Sequence, residues 1–580
     1  HIINNNIIKT TGNESVGIYS ANGSLTENNG EILIAGNNTA GIYGVNYLDG
    51  VTTSAGLGYG DDKINITNNG KITASGPGKV YGIYASNRTG TQGDNIVTLS
   101  GSSDINLQNS SGGIGIYVNN GILNGTGTLS VGSDSVGIYA KDSTVNLSGL
   151  TLNMTGNNIL GFYLDGNTNF SGSGNINISG NNIAVFNILS NGTFNQNFNI
   201  ASTAGSTYTI GNVKNGTFHY NGTANLAGNG SLINGKDSAV LLDTGSTLAS
   251  SGDNTIGAVL EGQYNSTLPG GFTAGIDAEN RGTMAFGNSS AGLYGSNGTR
   301  LKNIGSISLG DSSMGLHTNG SGSYALNDGS IAMGSLSVGI YGQNSSNLEN
   351  LSNGVITGNG RETVGIYGEG SAPLVIANDG RIELNGDKSI GIYSKANGGT
   401  SITNNGTVII GNSSDNNNPG VGIYSENSAD TIVNNGAVSA GNSSVGIYIN
   451  GGILNQNNTV NIGNNGTGIY AAGGTVNLNA GSSLNVSNDQ SVGVYALNGT
   501  NILNDGTTVL GNNSFGYVLR SGSALLNNAD VTAGDGSIVV FGDGAGSITN
   551  NGAVTLGGSS GVAFYTVNGG NIQNTGDITG

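Results

Sequence analysis

Three stretches of this chain set aromatic rings beside carboxylates and amides. Val45 to Lys63 contains Tyr47, Asp49, Tyr59, Asp61 and Asp62; Asn187 to Asp237 contains Tyr208, Phe218, His219 and Tyr220; Glu261 to Arg281 contains Tyr264, Pro269, Phe272, Asp277 and Glu279. A saccharide site needs such a mixture, because ring faces cover the apolar side of a sugar while oxygens and nitrogens bond its hydroxyls. Tyr47, Asp49, Tyr59, Asp61, Tyr208, Phe218, His219, Tyr220, Tyr264 and Asp277 are therefore the ligand-binding candidates. The competing reading of each stretch is a tolerated surface loop or an aberrant coil of a repeat.

Catalytic patterns fare worse. Gly310-Asp311-Ser312-Ser313 has the look of a nucleophile loop, with His219 or His317 as the only internal bases. A Gly-[Asn/Asp]-x-Ser spacer precedes many of the repeated strands, however, and His317 occupies the tyrosine slot of its own unit. Asp61-Asp62 is the one close acidic pair, and adjacent strand residues point to opposite faces. The absence of cysteine excludes thiolate nucleophiles, zinc thiolates and disulfides. Gly-Asp pairs do not follow the nine-residue calcium repeat, and no glycine-rich run ends in the Gly-Lys-Ser/Thr of a phosphate loop. The expectation is a protein without catalytic residues, metal or cofactor.

The elements that position these residues are written in the composition and the period. Of 580 residues 107 are glycine, 9% are charged and the formal net charge is −18. Ordinary domains carry about 25% charged residues and about 7% glycine. The acidic balance argues against a nucleic-acid groove or a polybasic membrane patch, and no apolar run approaches the ~18 residues that span a bilayer. Variants of Val-Gly-Ile-Tyr recur with tyrosine at 19, 43, 84, 117, 139, 163, 294, 341, 367, 393, 424, 448, 470 and 495. Many steps are about 22 to 26 residues, in the range of solenoid repeats. A second signature, Asn-Asn-Gly or Asn-Asp-Gly before Ile or Val, stands at 68, 404, 434, 504 and 550.

Short alternating runs bounded by Gly, Asn and Ser read as strands between turns, with no sustained helical stripe. Such a period predicts an all-β, right-handed parallel β-helix with one coil per repeat. About 24 coils spaced ~4.8 Å apart would form a single rod over residues 1–580 near 115 Å long, interrupted at 45–63, 187–237 and 261–281. Asn504, Asn527, Asn550 and Asn574 predict an amide ladder from coil to coil. Period two in Val-Gly-Ile-Tyr predicts Val and Ile inside, with tyrosines forming a partly exposed file.

The alternation of Asn-Asn-Gly-x-Ile with Gly-Asn-x-Ser-x-Gly-Ile-Tyr, clearest from Ser389 to Gly580, resembles the passengers of the large fusobacterial type V autotransporter adhesins, the RadD-like and galactose-inhibitable class. The resemblance implies a β-helical passenger at the bacterial cell surface that binds host cells or partner bacteria without covalent chemistry. It implies as partners a host glycan of the galactose or N-acetylgalactosamine type, a host immune or epithelial receptor protein, or other bacteria. It further implies a monomer that meets the outer membrane only through a C-terminal translocator barrel lying outside this sequence. The chain starts at His1-Ile2-Ile3 and ends at Ile578-Thr579-Gly580 within a repeat, which reads as a piece of a longer protein. The alternatives are a passive stalk holding a binding tip elsewhere and a polysaccharide-acting enzyme on the same fold.

Overall fold

The computed structural model describes residues 1–46, 63–87, 95–190, 192–371, 373–415, 417–486 and 488–580. All regular structure among them is β-strand, and the strands pair in parallel with their counterparts one repeat away, building a β-solenoid. Chain contacts divide it into two compact units, His1–Gly287 and Asn288–Gly580.

In the second unit a coil consists of short strands with tight turns. Val445–Ile449, Ile453–Gln456 and Thr459–Ile462 make one coil. The next coil repeats it in register, with Tyr448 opposite Tyr470, Leu454 opposite Val476 and Val460 opposite Leu484. Alternation turns Leu454, Gln456, Val460 and Ile462 inward. Ile447 and Ile469 stack in the same interior, both fully buried. Each such side chain is worth roughly 1.5–3 kcal/mol when buried, and it is covered only by its own and neighbouring coils.

Glycine changes the expected inside-outside pattern. In Val364-Gly365-Ile366-Tyr367, Gly365 and Ile366 are both buried while Val364 and Tyr367 are half-buried. The pairing runs Val364 to Ile390 and then Ile366 to Ile392, passing over the glycine. A Cβ on Gly365 would lie 2.5 Å from the Gly391 carbonyl oxygen and 2.7 Å from Ile382 Cγ2. The backbone thus turns inward at the glycine, and the preceding valine is carried outward. Val136, Val338, Val364 and Val492 are half-buried rather than interior, contrary to the period-two expectation; only Val421 and Val445 are buried.

The asparagine ladder is present. Asn504 Nδ2 donates to Asn527 Oδ1 at 2.5 Å, Asn527 to Asn550 at 2.6 Å, and Asn550 to Asn574 at 2.7 Å. A longer ladder joins Asn303, Asn327, Asn350, Asn378, Asn404, Asn434 and Gln456. The second amide hydrogen goes to the carbonyl two residues on, as from Asn327 to Gly329 and from Asn550 to Gly552. A buried primary amide is thereby satisfied along the stack and across the turn at once. The residue after the buried amide forms a parallel exposed ladder, as Asn435 to Asn405 and Asn457 to Asn435.

The first unit follows the same plan with a different filling. Phe162 and Phe186 take the interior isoleucine position and stack at 5.0 Å, with Phe170, Phe194, Phe198 and Phe218 packed around them. The next coil has Gly211 in that position, and the Phe218 ring fills the space, 2.9 Å from where a Cβ would sit.

Candidate functional site

The predicted interruption at 187–237 is a run of coils. Ile183–Ser190, Tyr208–Lys214 and Gly230–Lys236 pair in parallel, and only the Gly-Ile-Tyr signature is missing. Tyr208, Phe218 and Tyr220 belong to the core, with relative exposures of 5%, 0% and 0%. Buried rings of this kind cannot meet a surface ligand, so the aromatic richness that nominated them reflects interior packing. Burial also pushes the Tyr220 phenol well above the ordinary tyrosine range. Tyr47, Asp49, Tyr59 and Asp61 lie outside the described residues.

His219 points out of its strand and meets residues that the sequence did not connect to it. Its register neighbours along the sheet are Leu241 and then Glu279. His219 Nε2 is 3.0 Å from Asp243 Oδ2, and its imidazole lies edge-on to Phe272 at 6.0 Å. Phe272 belongs to a segment without regular structure between Thr255–Glu261 and Ala278–Asn280. The predicted interruption at 261–281 is therefore a loop over most of its length. The buried Asp277 accepts the Tyr264 backbone N–H at 2.9 Å and ties the loop's two ends together. Arg281 donates to Glu279 through Nε at 3.1 Å and Nη2 at 2.9 Å, and Nη2 also reaches Thr273 Oγ1. Burial raises the Asp243 carboxyl, but the Thr244 backbone N–H, His219 and Arg281 outweigh it and hold the group below its usual range.

This cluster pins the loop to the sheet. Glu279 is spent on Arg281 and Thr273, Asp277 on the loop closure, and Asp243 on His219 and the Thr244 N–H. Asp243 was not legible as the partner of His219 because coil stacking, and not sequence distance, brings it there. Elsewhere, Ser313 Oγ accepts the Ser290 N–H and donates to the Asp311 carbonyl, each at 3.0 Å, as part of a turn repeated in successive coils. No group of three or more His, Asp or Glu suited to a metal ion occurs among the described residues.

Two features mark the surface along the coils. The first is the tyrosine file. In the first unit Tyr19, Tyr43, Tyr84, Tyr117, Tyr139 and Tyr163 stack at 4.6–5.8 Å between centroids. In the second, Tyr424, Tyr448, Tyr470 and Tyr495 stack at 4.4–5.2 Å. Burial, reinforced by neighbouring phenols, raises Tyr117 to about 12. Rings held face to face keep one edge outward.

The second feature is a groove where the file stops. Tyr163 is followed in register by Asn187, Asn212, Asn234 and Val259. The shorter side chains leave a groove of about 360 Å³, flanked by Leu189, Lys214, Lys236 and Glu261. Asn234 Nδ2 donates to Asn212 Oδ1 at 3.1 Å, and Lys236 Nζ lies 3.6 Å from Glu261 Oε2. No sequence signal was read here beyond the loss of Gly-Ile-Tyr, and that loss is what opens the groove.

A family model described as the BigA third pectate lyase-like domain matches residues 274–454. Those residues include the coils of the tyrosine file from Tyr294 to Tyr448. Comparison with curated proteins and with solved structures gives no match.

Proposed function

We propose that the chain is passenger sequence of an autotransporter-type surface adhesin, anchored at a bacterial outer membrane through sequence beyond it. It binds host-cell or partner-bacterium receptors non-covalently and without catalysis. The observation that carries this reading is the file of half-exposed, stacked tyrosines repeated from coil to coil, which offers the same contact many times over one surface. Weak contacts so repeated gain through effective concentration. The likeness of residues 274–454 to a pectate lyase-like domain of an autotransporter-type surface protein supports the same placement.

Binding of the purified chain to epithelial cells, with and without galactose or N-acetylgalactosamine, tests the reading. Sugar-sensitive attachment supports a lectin-type adhesin and sugar-resistant attachment a protein receptor. Absence of attachment reduces the chain to a spacer. The name of the matched domain favours one further reading, cleavage of an acidic polysaccharide on the same fold. Against it stands the use of Asp243, Asp277 and Glu279 in internal bonds. Release of reducing ends from polygalacturonate by the chain would support cleavage.

A further inference from the structure

The groove that replaces the tyrosine file has the chemistry of a defined ligand. From its floor and rim we infer that it binds an acidic glycan, with one carboxylate or sulfate held between Lys214 and Lys236 and the sugar hydroxyls on the asparagine amides. This inference rests on the reading of the chain as a receptor-binding surface protein and names a ligand class for one site on it.

Charge comes first. The chain has 16 lysines and arginines against 34 aspartates and glutamates, so adjacent exposed cations are uncommon on it. Lys214 and Lys236 are nevertheless in register on neighbouring parallel strands, both exposed, at a strand spacing of about 4.8 Å. Like charges placed directly opposite repel. Glu261 relieves Lys236 at 3.6 Å, whereas Lys214 makes no ion pair among the described residues. An anion above the pair would balance Lys214 and cancel the repulsion.

The floor supplies the rest. Asn187, Asn212 and Asn234 present three amides in a row at the strand spacing. The Asn234 to Asn212 bond uses one donor and one acceptor, which leaves Asn234 Oδ1 and the Asn187 amide for hydroxyls. Leu189, 40% exposed, offers an apolar patch beside them. The ring of Tyr163 stacks on Tyr139 at 4.8 Å through one face, and its other face is turned to the coil of Asn187. Amides, an apolar patch and a pair of lysines meet in about 360 Å³, within the size of small-ligand sites. Coils that keep their tyrosine place a stacked ring at this position.

The test is calorimetric titration of the intact chain with lactose, sialyllactose and sulfated lactose at low and high salt. The expected result is that at least one acidic sugar binds about tenfold more tightly than lactose at low salt, with the advantage shrinking as salt rises. The ranking of the two acidic sugars tells carboxylate from sulfate. Lys214→Gln should cost about fivefold in acidic-sugar affinity and leave lactose unaffected. Asn212→Tyr, which restores the ring of the neighbouring coils, should abolish binding while circular dichroism and protease resistance stay unchanged. Equal affinity for all three sugars, or full binding by Asn212→Tyr, overturns the inference. Cell attachment by a chain that binds none of the sugars also overturns it and leaves the adhesin reading standing. Acidic-sugar binding without cell attachment sustains the groove and removes the adhesin reading.

Discussion

Tyr341 and Glu369 lie on successive coils of the second unit and are joined by a hydrogen bond of 2.5 Å from the phenol to Oε1. Glu369 Oε2 accepts a second phenol, that of Tyr367, at 2.6 Å, so one carboxylate clamps two adjacent rings of the file. The phenols of Tyr341 and Tyr367 are raised above 10.0 first by burial and then by this carboxylate. The two phenol bonds in turn hold the Glu369 carboxyl below 4.5.

Glu369→Gln should therefore move two titrations. A phenol raised on folding stabilises the fold below about pH 10 and loses that contribution as pH climbs further; a carboxylate depressed on folding contributes above about 4.5 and loses it as pH falls. The variant should ionise Tyr341 and Tyr367 at lower pH than wild type, though still above free tyrosine because burial persists. Alkaline difference absorbance at the phenolate band reads this directly. Unchanged curves would mean that burial alone sets both phenols.

The buried ladder predicts a directional defect. Asn350 accepts from Asn327 and donates to Asn378, each at 2.8 Å. Asn350→Ala leaves the Asn327 donor and the Asn378 acceptor without a partner in a dry interior, costing about 1–3 kcal/mol. The slot itself tolerates an apolar residue where the ladder is already broken, since Leu478 occupies it between Gln456 and Asn504. Leu478→Ala should behave as a simple cavity, without unsatisfied amides. Hydrogen exchange should show protection lost in the coils on both sides of Asn350 and not at distant coils.

The fold was legible because the period, the Asn-Asn-Gly turns and the in-phase apolar residues all describe one coil, and stacking multiplies that single solution. The interior-facing valines were misread because alternation assumes an unbroken strand, and the glycine of Val-Gly-Ile-Tyr turns the backbone between two buried positions. The candidate site was legible only in part. Tyr208, Phe218 and Tyr220 stood out by type, but type does not tell an outward ring from a core ring when both lie in strands. His219 was found without its partners, since Asp243 reaches it from the next coil and Phe272 from a loop. The groove was missed because it is made by what is absent, a tyrosine replaced by asparagine in three successive coils.

The glycine corner makes a sharp steric prediction. Gly365 has an ordinary negative φ, so alanine there is not excluded by backbone conformation. Its Cβ would meet the Gly391 carbonyl at 2.5 Å and Ile382 at 2.7 Å. Gly365→Ala should thus destabilise its coil by about 1–3 kcal/mol through overpacking, even though Gly→Ala at a compatible site stabilises. Gly481, where the added atom meets nothing, has a positive φ of 88° and serves as the contrasting case of strain without clash. Limited proteolysis of both variants should place new cleavage next to the Gly365 coil in the first.

His317 is the one member of the second unit's file from Tyr294 to Tyr495 that is not a tyrosine. Its ring packs edge-on to Tyr294 at 4.8 Å and tilted against Tyr341 at 4.7 Å. The buried Nε2 has no hydrogen-bond partner among the described residues, and burial lowers the imidazole from 6.5 to about 4. The fold therefore holds a neutral imidazole that the unfolded chain protonates below about 6.5. Its contribution is complete above that value and is lost progressively as pH falls to about 4, because there the unfolded state binds the extra proton. His317→Tyr restores the residue of the neighbouring coils and removes the titrating group. The difference in urea midpoint between wild type and His317→Tyr should grow in favour of the variant between pH ~7 and pH ~5, while other acid-sensitive groups cancel in the comparison. Parallel pH profiles for the two proteins would show that His317 takes up its proton as readily in the fold as in the unfolded chain, against a buried neutral imidazole.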